Sequence, residues 1–242
     1  MSAIVLGTLL GLAQGMRHAL EPDHVTAVST LVAGQRTPRR IVSFAAIWGL
    51  GHAVTLVVVG GALALFRAEM PAQLADAFEL IVAFMLVGLG VRAIARARRH
   101  DGSLGHSHSH ANSHTHSHAP SDPQQAQRAQ PLGVGIVHGL AGSGALAALA
   151  TASFGSRGAG VLFIAVYAMG AALGMALLAA AAVFPMARLV QTARARTVVL
   201  VAAGVFSIAF GAVWGWPVAA RLAATAGAFR APLEALFAFA AP

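Results

Sequence analysis

Four histidines, His18, His24, His52 and His138, stand in stretches of sequence that are otherwise almost free of charge. Asp23 is beside them, in the run His18-Ala-Leu-Glu-Pro-Asp23-His24. Neutral imidazole and carboxylate are donors that a divalent transition-metal ion accepts. An ionisable side chain in apolar surroundings costs free energy, so its presence there marks a site by default. Histidines can also serve only to bond one helix to another, but four of them with an aspartate make that the poorer account. Cysteine is absent, which excludes thiolate metal sites, disulfides, iron–sulfur clusters and cysteine nucleophiles together.

Spacing decides whether these groups can meet. In an unbroken helix His18 and His24 would lie about 9 Å apart along the axis and on different faces. They could not then share one ion at a bond length of about 2 Å. Pro22 alters this, because it cannot donate the hydrogen bond that would end on the carbonyl of residue 18. The helix is expected to kink or unwind there and to turn both imidazoles and Asp23 inward. Asp23 could bind the ion directly or orient an imidazole from behind. Arg17 and Glu21, four apart, are expected to form an ion pair.

A weak internal repeat extends the pattern. Residues 15–24 read GMRHALEPDH and residues 135–144 read GIVHGLAGSG, which matches His18 with His138 and Pro22 with Gly142. Both matched pairs suggest a histidine followed by a helix break. Ser143 and Gly144 replace Asp23 and His24 in the second copy. His52, within WGLGHAVTL, brings a third segment to the constellation.

The elements that must carry these residues are apolar throughout. Of 242 residues 57% are hydrophobic and 10% charged, against about 25% charged in ordinary soluble domains. Six apolar segments, roughly 2–33, 41–65, 77–95, 132–153, 159–186 and 197–218, can each cross a membrane as a helix. They lack the alternation of barrel strands, so helices are expected. The first is expected to be retained and not cleaved as a signal peptide. The expected fold is an all-α integral membrane protein of six transmembrane helices. Two copies of the motif three spans apart make it two inverted three-helix repeats, an arrangement used by secondary transporters. The units are 1–95 (first half), 96–131 (linker), 132–218 (second half) and 219–242, a short interfacial segment.

All basic residues are arginine, and their placement explains the formal charge of +8. Arg36, Arg39, Arg40, Arg92, Arg96, Arg98, Arg99, Arg128, Arg188, Arg194 and Arg196 fall on one side of the expected topology. Arg67, Arg157, Arg221 and Arg230 fall on the other. The arginine-rich side is the cytoplasmic one, so both termini should be periplasmic and the linker cytoplasmic. A nucleic-acid partner thereby loses its main support.

The linker holds His106, His108, His110, His114, His116 and His118, alternating with Ser, Asn and Thr. Such a low-complexity, proline-flanked stretch is expected to be disordered and to capture metal loosely. A solvated spacer is the plainer alternative.

At these residues the chain resembles the nickel/cobalt transporter superfamily, in its NicO/UreH-like high-affinity nickel permease branch. The likeness runs through GMRHALEPDHVTAVSTL (15–31), WGLGHAVTL (48–56), the His-rich loop and GIVHGLAGSGALAAL (135–149). The H-x4-D-H element is the signature of that family. The resemblance implies that His18, Asp23 and His24 recognise the metal, with His52 contributing and His138 recurring in this branch. It implies a permease and not an enzyme, with no prosthetic group, carrying Ni(II) or Co(II) across the bacterial inner membrane. Uptake by alternating access with proton coupling is the leading reading. Efflux is its rival, and delivery of nickel to urease or hydrogenase maturation proteins is another. A membrane di-iron enzyme is a fourth, of a different class, but needs more histidines at the membrane surface. No P-loop motif is present to bind a nucleotide.

Overall fold

A computed structural model describes residues 3–33, 37–101 and 123–239, and among these the chain forms helices and turns without a strand. The elements are α1 (Ala3–His18), α2 (Pro22–Val32), α3 (Pro38–Thr55), a π-helical turn (Leu56–Gly60), α4 (Gly61–Phe66), α5 (Ala72–Asp101), α6 (Pro123–Ser153), α7 (Arg157–Leu189) and α8 (Ala193–Phe239). Five stretches are long and apolar enough to cross a membrane: Pro38–Phe66, Ala72–Arg99, Gln130–Ser153, Arg157–Val183 and Ala193–Thr225. Their outer faces carry large apolar side chains such as Phe84, Val213 and Trp216, the last two more than three-quarters exposed. Such faces are stable against hydrocarbon and not against water. The protein is a multi-pass helical membrane protein.

The segment expected to span over 2–33 is divided. α1 has 16 residues and α2 has 11, each short of the about 20 that a full crossing takes. Glu21 is extended (φ −63°, ψ 146°), as a residue before proline must be, and Pro22 sits in the first turn of α2, where its missing N–H costs nothing. The amides of Leu20 and Glu21 turn back onto the carbonyls of Arg17 (2.9 Å) and His18 (3.0 Å). The His18 carbonyl that Pro22 cannot reach is therefore capped by Glu21. In α2, Thr26 and Thr30 satisfy their hydroxyls on the carbonyls of Pro22 (2.5 Å) and Thr26 (2.7 Å), which lets polar side chains sit buried.

Three expectations about helix ends are corrected. α6 runs through Gly142 without a break, because glycine only weakens a helix by about 1 kcal/mol while keeping its N–H. α8 continues through the alanine-rich residues 219–239 in one piece, so no separate interfacial helix begins there. Helix also occupies 96–101 and 123–131 of the linker expected over 96–131, where arginine, glutamine and alanine favour it. The remainder of that linker, with His106, His108, His110, His114, His116 and His118, lies outside the described residues.

Close backbone approach at small residues joins the helices. α1 lies parallel to α7, with Gly11 facing Phe163 and Gly15 against the Tyr167 carbonyl. α6 lies parallel to α3, with Gly135 against the Trp48 carbonyl and Gly51 against Leu132. α5 and α8 run antiparallel and meet at Gly90 and Gly204, where a Cβ on either would lie 2.5–2.7 Å from the other's carbonyl oxygen. α3 and α7 also cross antiparallel, through Gly49 and Ala172. Trp48, Leu86, Met175 and Val82 fill the buried centre between these pairs.

Candidate metal centre

The break between α1 and α2 places three groups where two straight helices could not. His18 ends α1, while Asp23 and His24 open α2. His52 comes from the last turn of α3 and His138 from the middle of α6. Ring centroids lie 4.4 Å apart for His18–His24, 5.1 Å for His24–His52, 5.4 Å for His18–His52 and 4.3 Å for His24–His138. His24, His52 and His138 are fully buried, and His18 nearly so. The structure thus brings together all five residues singled out from the sequence: His18, Asp23, His24, His52 and His138.

Carboxylates hold one nitrogen of three of these rings. Asp23 accepts from His24 Nδ1 through Oδ1 (3.1 Å) and from His138 Nε2 through Oδ2 (2.8 Å). Glu21 accepts from His18 Nδ1 through Oε2 (2.9 Å). An ionised carboxylate only accepts, so each bonded ring nitrogen carries a proton; in the neutral imidazole the opposite nitrogen then keeps its lone pair. Those opposite nitrogens, His18 Nε2, His24 Nε2 and His138 Nδ1, are buried and have no hydrogen-bond partner among the described residues. Both ring nitrogens of His52 are in the same condition. Leaving a buried polar atom unsatisfied costs about 1–3 kcal/mol, and native interiors tolerate few. A cluster of aimed lone pairs is what a cation would satisfy.

The donor atoms are close enough for that. Those of His18, His24 and His52 all lie within 4.8 Å of one another, as do those of Asp23, His24 and His138. Bonds of about 2 Å to a shared ion require donors within roughly 4 Å, so a small inward shift completes either set. Gly142 leaves room beside the first set: a Cβ there would stand 4.0 Å from His18 Nε2. Its place in the site is this space, not a helix break.

Glu21 corrects another expectation. Its partner is His18, not Arg17, because α1 ends between positions 17 and 21 and the i,i+4 register is lost. Sequence reasoning also passes over three neighbours. Trp48, one turn before His52, lies 5.7 Å from His24 and 5.8 Å from His138 between ring centroids. Tyr167 is 5.6 Å from His18. Glu79, from the start of α5, lines the cavity that adjoins the site. Trp48 could have been found from its i,i+4 spacing to His52 in WGLGH; the other two carry no signal in the sequence.

With this geometry in view, similarity to known proteins decides the family. Over 169 residues the chain is 31% identical to the urease accessory protein UreH of Bacillus sp. (strain TB-90), covering 69% of this chain and 71% of the relative. The chain belongs to the UreH/NicO-like family. No family model matches this UreH-like chain, and no solved structure matches it.

Proposed function

We propose that this UreH-like protein is a secondary transporter for Ni(II), with Co(II) as the alternative cargo. The observation that carries the reading is the set of buried, unpartnered imidazole nitrogens on a broken helix. Imidazole suits nickel and cobalt, and broken helices at membrane depth are where transporters build their sites. In this reading His18, His24 and His52 bind the ion. Asp23, with both oxygens committed to His24 and His138, orients rings from behind, the arrangement that raises ligand basicity in metal sites. Binding needs deprotonated ligands, which offers a route to proton coupling. The relative is named a urease accessory protein, which agrees with the nickel cargo that the family resemblance implies.

Alternating access would come from two inverted three-helix halves. α1 packs parallel on α7 as α6 packs parallel on α3, and the contacts correspond. Gly15 and Gly135, matched in the sequence repeat, each press on the backbone of an aromatic residue, Tyr167 or Trp48. Leu12 meets Gly170 as Leu132 meets Gly51. The Gly90–Gly204 contact maps onto itself, since Gly90 also approaches Ile208 as Gly204 approaches Ile94, each isoleucine 2.7 Å from where a Cβ on the glycine would stand. These correspondences support a pseudo-two-fold axis in the membrane plane. The arginine distribution supports a cytoplasmic His-rich connection in the inner membrane, where it would capture arriving metal.

Uptake is the direction we favour. It is tested by nickel accumulation in a nickel-uptake-deficient strain, comparing wild type with His18→Ala and His52→Ala. Accumulation should fall to background in both variants at equal expression. Wild-type uptake that survives unchanged in both would sink the site, and lowered metal content with wild type would reverse the direction. The relative's description as an accessory protein favours a second reading, delivery of nickel to urease. It predicts lost urease activity with unchanged total cellular nickel.

A further inference from the structure

The cavity beside the histidine cluster has a direction and a charge. It measures about 300 Å³ and is lined by His18, Glu21, Asp23, His24, Glu79 and His138, among others. On α6 the lining runs from His138 to Leu149, toward the end at Ser153. On α5 it includes Glu79, close to the start at Ala72. Both are the ends remote from residues 102–122, which join α5 to α6. Toward the connection, just beyond His138 and His52, α3 and α6 pack backbone to backbone, with Gly135 on Trp48 and Gly51 on Leu132. Exposed Glu21 and Leu149 and half-buried Glu79 form the rim.

Among the described residues, three carboxylates line this cavity and no arginine does. Arg221 stands 3.6 Å from Glu79 but spends its best bonds on Asp76 (Nη2 to Oδ1 2.6 Å, Nε to Oδ1 3.1 Å). Behind the rim, His24 and His138 also line this cavity, each a buried side chain with one ring nitrogen left without a partner among the described residues. We propose that this cavity is the access vestibule for a hydrated divalent cation, opening on the membrane face opposite the His-rich connection, with Glu79 and Glu21 drawing the ion in. Glu21 does this with the carboxylate that also holds the His18 ring, so the ion passes from a carboxylate rim to the imidazoles. The inference rests on the metal-transport reading.

The absence of cysteine makes one added thiol a unique label. Ala145→Cys places it on the cavity wall, Leu149→Cys on the rim as a second position should the first fail to express, and Ser121→Cys in the connection. In proteoliposomes of the full chain, a membrane-impermeant maleimide should reach position 145 or 149 from the face opposite that on which it reaches 121. Micromolar NiCl2 should slow the reaction at 145 several-fold. Labelling from the same face as 121, from neither face, or without any effect of NiCl2 overturns the proposal. Charge gives a second arm with a signed outcome. Glu79→Gln should raise the nickel concentration for half-maximal uptake about three- to tenfold, and Arg221→Gln should lower it, both shifts shrinking as salt is added. A merely structural role would move both variants in one direction, and that result also overturns it. If wild type moves no nickel at all, the transport reading fails, whereas the faces from which the thiols react still report where the cavity opens.

Discussion

The segments around His18 and His138 begin alike and end differently. Both place a glycine three residues before a histidine and press it on a neighbouring backbone. After the histidine, one helix stops at His18 and helix resumes at Pro22, while the other runs from Pro123 to Ser153 without interruption. The difference lies in one residue type. Proline removes a donor and forces its predecessor out of the helical region; glycine does neither. The broken copy can swing Asp23 and His24 into the centre, so it supplies three of the five clustered groups. The unbroken copy supplies one imidazole and, at Gly142, empty space.

The sharpest way to break that contrast is to give the second copy what the first has. Gly142→Pro should destabilise the protein by about 3 kcal/mol or more, read as a large fall in thermal midpoint of the purified protein. Crowding is not the reason to expect it, since the nearest atoms to a Cβ there are 3.7 and 4.0 Å away. A midpoint unchanged from wild type would mean that α6 tolerates a break, and that proline is not what separates the two copies of the motif.

The matched histidines should differ as well. His18 carries a free Nε2 within the three-imidazole set, whereas the donors of His138 group with Asp23 and His24. His18→Ala is expected to weaken nickel binding about 100-fold, and His138→Ala about tenfold, by titration calorimetry on detergent-solubilised protein. Equal losses would mean that the two matched histidines act alike and would place both rings on the ion.

What the sequence makes legible follows from the same physics. Imidazoles stand out against apolar surroundings because burying them needs a reason, so His18, His24, His52 and His138 can be picked out before any geometry is known. The long apolar runs announce membrane helices for the same reason. Proline at 22 announces a break because its effect on a helix is local. Other features depend on contacts that no local pattern encodes. Asp23 reaches His138 across 115 residues of chain. Glu21 turns to His18 once the helix that would have paired it with Arg17 is gone. Glu79 faces the cavity because α5 packs on α8 and not because of its neighbours in sequence. The continuity of α6 and α8 is hidden for another reason: glycine and polar interruptions weaken a helix by amounts that tertiary contacts and alanine-rich stretches readily offset.

The smallest expected effects separate Asp23 from its counterpart in the repeat, Ser143. Asp23 spends both oxygens on rings from two different helices. Ser143, buried at the matched position, turns its hydroxyl back onto the Leu140 carbonyl of its own helix at 2.8 Å. Asp23→Asn keeps the size and one acceptor but puts an amide donor where a second imidazole N–H now bonds. One of the two rings must then change tautomer or lose its partner, and nickel affinity should fall about tenfold, at the lower end for an orienting group. Ser143→Ala removes only a bond within a helix that its backbone already holds. It should leave nickel affinity as in wild type and lower stability by less than about 1 kcal/mol, measured by calorimetry and thermal melting on the same preparations. A loss of nickel affinity in Ser143→Ala would mean that the second copy takes part in binding through more than its one histidine, and the contrast between the broken and unbroken helices would then be one of degree.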